Sequence, residues 1–345
     1  MPTRWSWAAW CVVLAATHGV AAGAVGIELY PDVDADATID LELRVDGRVQ
    51  CVIKKESGIA AASTQPACRF ELPAQARSLS VRGEYGAAAS ASQRRWARKG
   101  EFSANLLDFA PVSRLLDAPA KSYGERVADF VMAANRFQHA YAPDHPLGLE
   151  TAKPASAERI DAAQQRLGYA LPGDFVSMQR VVGALRIGDH HVTAIDDVAD
   201  AYIQMRKDWG TPEAAMQSDY SASEQIALRA STLLFTEVGD GLGGLRYRPP
   251  PTKSCGGRAA YFWIAQESAG GQLKAANGDC MDFAGAFRWL LEGFVVEDLA
   301  SELAEQNGAL LFDSSRAVQR LDLRLDREAA PFHADLSIRW QGPNS

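Results

Sequence analysis

The sequence predicts an α+β protein, with a small disulfide-stapled β-sandwich domain followed by a mixed sheet with flanking helices. Three observations lead there. Apolar and polar residues alternate in short runs from Val25 to about Phe109, the period of half-buried strands. Over 123–141 the period becomes helical, with Val127, Phe130, Val131, Ala134 and Phe137 on one face. Beyond Pro143, Pro146 and Pro154 come two helix patterns, three apolar strand patterns and a further helix.

The first segment, 1–24, has the layout of a secretory signal peptide. Arg4 is followed by an apolar, Ala-rich run over 5–20 and the small-residue ending Ala22-Gly23-Ala24, the order that export machinery and signal peptidase read. Cleavage is expected after Ala24. Cys11 lies inside the apolar run, not directly after it, so no lipid anchor is expected. Glu28 closes the apolar stretch too early for a spanning helix of ~20 residues. Export leaves Cys51, Cys68, Cys255 and Cys280, an even set suited to an oxidising compartment. Their two separated clusters favour local pairing, Cys51 with Cys68 and Cys255 with Cys280, each bridge adding about 3 kcal/mol. The formal net charge is −8, and removal of Arg4 makes it −9. That acidity argues against a nucleic-acid partner, whose phosphates need a basic face, and suits a basic protein partner.

The β-rich domain is expected over 25–118. Strict alternation over 39–45 leads into Asp46-Gly47 and then 49–53, a hairpin by its turn chemistry. Further strands are expected at 68–72, 78–85 and 101–109. The helix and Pro-rich linker occupy 119–155. In the α+β domain, 156–299, Ser156 is placed to cap a helix that stops at Leu167-Gly168. A second helix starts from Leu171-Pro172-Gly173-Asp174-Phe175. Strands follow at 232–238, 245–248 and 259–265, and a helix over 282–294 places Phe283, Phe287, Leu290, Leu291 and Phe294 toward a core. In the C-terminal segment, 300–345, alternation at 318–325 and 334–338 predicts two strands. Either sheet could receive them.

The second half resembles the SUKH superfamily. The residues that carry the resemblance are Arg166-Leu167-Gly168, Leu171-Pro172-Gly173-Asp174-Phe175, Val182-Gly183-Ala184, Leu234-Phe235-Thr236-Glu237-Val238-Gly239-Asp240-Gly241, Tyr261-Phe262-Trp263 and Phe287-Arg288-Trp289-Leu290. It departs from the usual pattern at Val182-Gly183-Ala184, where the family has Asn-Gly-Gly, and at the long insertion over 187–228. The family is a binding scaffold of cell-wall regulators and immunity proteins, so the resemblance implies partner recognition without a shared catalytic centre.

Motifs for chemistry are weak. Asp32, Asp34 and Asp36 have the spacing of a calcium-loop start, but Ala37 replaces the needed Gly and Leu43 the bidentate Glu. His190 and His191 adjoin Asp189, Asp196 and Asp197, yet adjacent strand residues face opposite ways and no third ligand has suitable spacing. Gly239 to Gly244 leads into a strand instead of a helix, so it reads as a hairpin and not a phosphate cradle. There is no Gly-x-Ser-x-Gly and no His-Glu-x-x-His. No catalytic residue, metal or cofactor is expected.

The expected function is an exported, non-catalytic binding protein: a periplasmic immunity protein that occludes a toxin through an acidic surface of Asp189, Asp196, Asp197, Glu237 and Asp240. The alternative is an envelope structural or cell-wall regulatory factor binding anionic polymer through Arg94, Arg95, Trp96 and Arg98. A secreted hydrolase is third. No stable membrane anchor is expected.

Overall fold

The computed structural model describes residues 24–32, 37–55, 66–87, 97–208, 230–236, 244–264, 271–275, 277–326 and 333–339. The proposed signal segment therefore lies outside the described residues, except for Ala24. Six strands open the described chain: β1 Val25–Asp32, β2 Ala37–Val45, β3 Arg48–Lys55, β4 Cys68–Leu72, β5 Ser78–Ala87 and β6 Ala97–Asp108. Helices α1 Ala110–Ser113 and α2 Tyr123–Tyr141 lead to the short strand β7 Glu150–Thr151. Next come α3 Ala157–Leu167, α4 Gly173–Val181, β8 Leu185–Ile187, β9 His190–Val192 and α5 Ile195–Asp208. Strands β10 Thr232–Thr236, β11 Gly244–Arg248 and β12 Ala260–Ile264 precede α6 Phe283–Leu291. A π-helical stretch, Glu292–Glu297, joins α6 to α7 Asp298–Asn307, and β13 Ala309–Phe312, β14 Val318–Asp326 and β15 His333–Arg339 follow.

The architecture is α+β. A four-stranded sheet, β15-β14-β1-β4, and a five-stranded sheet, β13-β6-β5-β2-β3, share one apolar core. Alternation explains this directly: Ile39, Leu41, Leu43 and Val45 of β2 point inward with Val25, Ile27 and Leu29 of β1. The β2–β3 turn is Asp46-Gly47, both at positive φ, as a two-residue hairpin requires. Cys51 of β3 and Cys68 of β4 form a disulfide with Cα atoms 6.2 Å apart, which ties the adjacent edges of the two sheets. A second disulfide joins Cys255 and Cys280, Cα atoms 5.6 Å apart.

The choice the sequence leaves open for the two expected C-terminal strands is answered here: both join the sandwich, together with β13, which was not expected. β14 runs parallel to β1, β15 pairs with β14, and β13 runs parallel to β6.

A second core lies beneath the sheet β12-β11-β10-β9-β8-β7, in which each adjacent pair is antiparallel. Val127, Phe130, Val131 and Ala134 of α2 meet Phe175 and Met178 of α4 and Phe283, Phe287 and Leu290 of α6 there. Local caps fix where these helices begin. Ser122 and Glu125 form a reciprocal capping box at α2. Ser156 Oγ accepts the Arg159 N–H at α3, and Asp282 accepts the Gly285 N–H at 2.8 Å at α6. Gly168, at φ 80°, ends α3. Gly244 is required where β11 crosses β10, because a Cβ there would stand 1.9 Å from the Phe235 carbonyl oxygen.

The two cores touch through β13. Ala309 and Leu311 enter the α+β core, while Leu310 and Phe312 enter the sandwich core. Among the described residues no helix is long and apolar enough to cross a membrane.

Candidate functional site

Of the acids named from the sequence, Asp189 lies in the β8–β9 turn, and Asp196 and Asp197 lie in the first turn of α5. Pairing sets the register: Glu150 of β7 lies opposite Arg186 of β8, and Arg186 opposite His191 of β9. These three side chains therefore form a row across the sheet. The Arg186 guanidinium stands 4.0 Å from both Glu150 and Asp189, and its Nε–H donates to the Gly188 carbonyl at 2.7 Å. Asp197, in the first turn of α5, completes the rim of a shallow open depression of about 200 Å³ floored by Leu185 and Val192. Close backbone approach shapes its near wall. The Ala152 N–H donates to Ala184 O at 2.8 Å, and Gly183 sits at φ 68° where a Cβ would meet Lys153 O at 2.5 Å.

The acids differ in what holds them. Asp196 receives both arms of the Arg159 guanidinium, Nε to Oδ1 at 2.9 Å and the second nitrogen to Oδ2. That charge-assisted pair holds the Asp196 carboxyl below the usual carboxylate range. Asp200 takes a single bond, from one terminal nitrogen of Arg166, so two arginines seven positions apart on α3 brace two aspartates four apart on α5. Asp189 stands 82% exposed at the hairpin tip, and Asp197 is also exposed. Glu237 and Asp240 lie outside the described residues.

The two histidines face opposite ways, as strand geometry demands. His191 lines the depression. The His190 ring packs 4.1 Å from Phe294 and 6.0 Å from Phe235. Desolvation holds His190 below its ordinary pKa, although Asp298 and Asp189 pull the other way. Asp298 itself is raised by burial, a shift that His145 and His190 partly offset. His145 contacts Glu302 at 3.2 Å beside it.

The alternative polymer-binding residues Arg94, Arg95 and Trp96 lie outside the described residues, and Arg98 is placed by its backbone opposite Tyr85 on β6. Of the acidic run Asp32, Asp34 and Asp36, only Asp32 is described, at the end of β1. Among the described residues no group of three or more His, Cys, Asp or Glu is arranged to hold a metal.

Sequence reasoning missed the partners more than the residues. Arg159 and Asp196 meet across 37 positions. Fully buried Arg246 was hidden in Leu245-Arg246-Tyr247-Arg248, where alternation should have set it apart from the core-facing Leu245 and Tyr247. What the depression offers chemically is two carboxylates, a guanidinium and an imidazole across an open face. That arrangement suits recognition of a complementary charged surface better than enclosure of a small molecule. Comparison with known proteins adds no relative: no protein-family model, curated protein or solved structure matches this chain.

Proposed function

We propose that the chain is an exported, non-catalytic binding protein that occludes a basic protein toxin, with a SUKH-like α+β half as its recognition scaffold. The order of α3, α4, the antiparallel sheet and α6 supports the scaffold reading. The layout of residues 1–24 and the two disulfides support export. The observation that carries the proposal is the exposure of Asp189 at the β8–β9 tip and of Asp197 on the rim of the β7–β8–β9 depression. In this reading Asp196 and Asp200 brace α5 against α3, while Asp189 and Asp197 present charge to the partner. Exposed charges of this kind steer association and make it salt-dependent.

The test is co-purification at physiological salt with the product of a neighbouring toxin gene. Replacing Asp189 and Asp197 with Asn is expected to weaken capture about tenfold and flatten its salt dependence. Unchanged toxin sensitivity after deletion of the gene counts against the proposal. Pelleting of the pure protein with cell wall, dependent on Trp96 and Arg95, favours the polymer-binding alternative instead.

A further inference from the structure

The Cys255–Cys280 bridge has an unusual neighbour. Gln272 Nε2 lies 2.7 Å from Cys255 Sγ and 2.7 Å from Cys280 Sγ, so one amide donor faces both sulfurs. Its position is fixed by backbone pairing: Gln272 bridges Phe262 of β12, and the flanking Trp263 N–H to Gly271 O and Leu273 N–H to Tyr261 O bonds measure 3.1 and 2.8 Å. Cys255 is 3% exposed, whereas Cys280 is partly exposed. Basic residues neighbour the pair along the backbone. Lys253 shares the short turn with Cys255, Arg258 Nε donates to Cys255 O at 3.4 Å, and Lys274 bridges Cys280 across the strand pair. Asp279 and Asp282 flank Cys280, with Asp282 committed to the Gly285 N–H at the start of α6.

The other bridge has a similar exposure, Cys51 being 7% exposed and Cys68 partly exposed, and differs in its setting: Cys51 belongs to the sandwich core among leucines and valines, with Cys68 packed against it. A thiolate released into apolar surroundings is costly.

We propose that Cys255–Cys280 is a thiol-exchange site, open to a dithiol reductant at Cys280 and assisted by Gln272. A thiolate of the dithiol attacks Cys280 Sγ and forms a mixed disulfide. The bond between the two protein sulfurs breaks, and its electron pair leaves on Cys255 Sγ as a thiolate that accepts the Gln272 Nε2–H bond. The dithiol's second thiolate then attacks its own sulfur in the mixed disulfide and releases the Cys280 thiolate. The protein gains two electrons, and the dithiol becomes a disulfide. A lower-energy leaving thiolate speeds this exchange, and a donor aimed at the departing sulfur supplies that lowering. Backbone bonds hold 271–273 on β12 as well as to the stretch that carries Cys280.

The test uses the oxidised full chain in graded dithiothreitol, quenched by alkylation and read by peptide mass spectrometry. Cys255 and Cys280 are expected to be labelled about tenfold faster than Cys51 and Cys68. Gln272→Leu is expected to slow that labelling about five- to tenfold, the worth of one hydrogen bond. Gln272→Glu, closer in shape, sets a carboxylate against the leaving sulfur and is expected to slow it at least as much. Circular dichroism identifies any variant that fails to fold, and the folded variant then decides. Earlier opening of Cys51–Cys68, or parental exchange rates in the folded variants, overturns the proposal.

Discussion

The Ser113 hydroxyl donates to the Asp313 carboxylate at 2.8 Å, a buried bond between residues 200 positions apart. Asp313 also accepts the Ser315 N–H at 2.9 Å and stands 3.6 Å from Arg316. Arg316 in turn reaches Glu292, which takes the Arg288 Nε–H at 2.8 Å. Beside them, Asp108 accepts the Ser314 N–H at 3.0 Å and hydroxyl at 2.6 Å. This network lies where β13 passes between the two cores, so its energy is shared by both halves. Asp313→Ala removes the acceptor and leaves an arginine beside a buried vacancy. The expected loss is about 3 kcal/mol, as one shift of a single urea transition. A loss below about 1 kcal/mol, typical of surface pairs, or separate melting of the halves, contradicts this account.

Gly124 lies where α2 crosses α4. A Cβ there would stand 2.3 Å from Ser177 O and 2.8 Å from a Val181 methyl, and the Gly124 N–H already donates to Ser177 Oγ at 3.0 Å. Gly124→Ala must therefore push the helices apart, against the usual preference of helices for Ala over Gly. The overpacking term is larger, and a net loss of about 1–3 kcal/mol is expected. Ser177→Ala, which removes only the hydrogen bond, is expected to cost about 1 kcal/mol. If thermal denaturation finds Gly124→Ala neutral or stabilising, the close approach does not constrain this crossing.

Much of the fold was legible because its signals are local. Asp46-Gly47 announces a hairpin by backbone conformation alone, and Ser156 and Gly168 mark the ends of α3 through bonds to residues three or four away. The destination of β14 was not legible. Leu321-Asp322-Leu323-Arg324-Leu325 alternates equally well against either sheet, and parallel pairing with β1 is set by packing across nearly the whole chain. β13 was missed for a different reason. Ala309, Leu310, Leu311 and Phe312 are all buried because the strand serves two cores, so alternation is erased. At the candidate site the acids could be named from sequence. Which were braced could not, because Arg159 and Arg166 reach them only after α3 and α5 pack side by side.

The Cys51–Cys68 bridge closes a span of 17 residues between neighbouring sheet edges. Loop closure of that length restricts the unfolded chain by roughly 3 kcal/mol. The double variant Cys51→Ala with Cys68→Ala is expected to lose about that much, with a further penalty for the volume removed at Cys51 in the sandwich core. Chemical denaturation of the two oxidised proteins measures it. Equal midpoints would mean that the unfolded chain already holds these edges together.

His190 gives the pH dependence its sign. Burial against Phe294 lowers its folded pKa from the ordinary 6.5, so between pH 6.5 and that lower value the unfolded chain binds more protons. The contribution is therefore present above 6.5 and is lost as pH falls through the folded value. Asp298 has the opposite sign, because its folded pKa is raised from 3.8. Its stabilising share is full below 3.8 and fades as pH rises through the folded value. Acidification from about pH 7.5 to about pH 5.5 spans the histidine window first, so the urea midpoint is expected to fall. His190→Phe keeps an aromatic ring against Phe294 and Phe235 but carries no titrating proton, and most of that fall is expected to disappear. An undiminished fall in His190→Phe would move the origin of the acid sensitivity away from the β8–β9 hairpin.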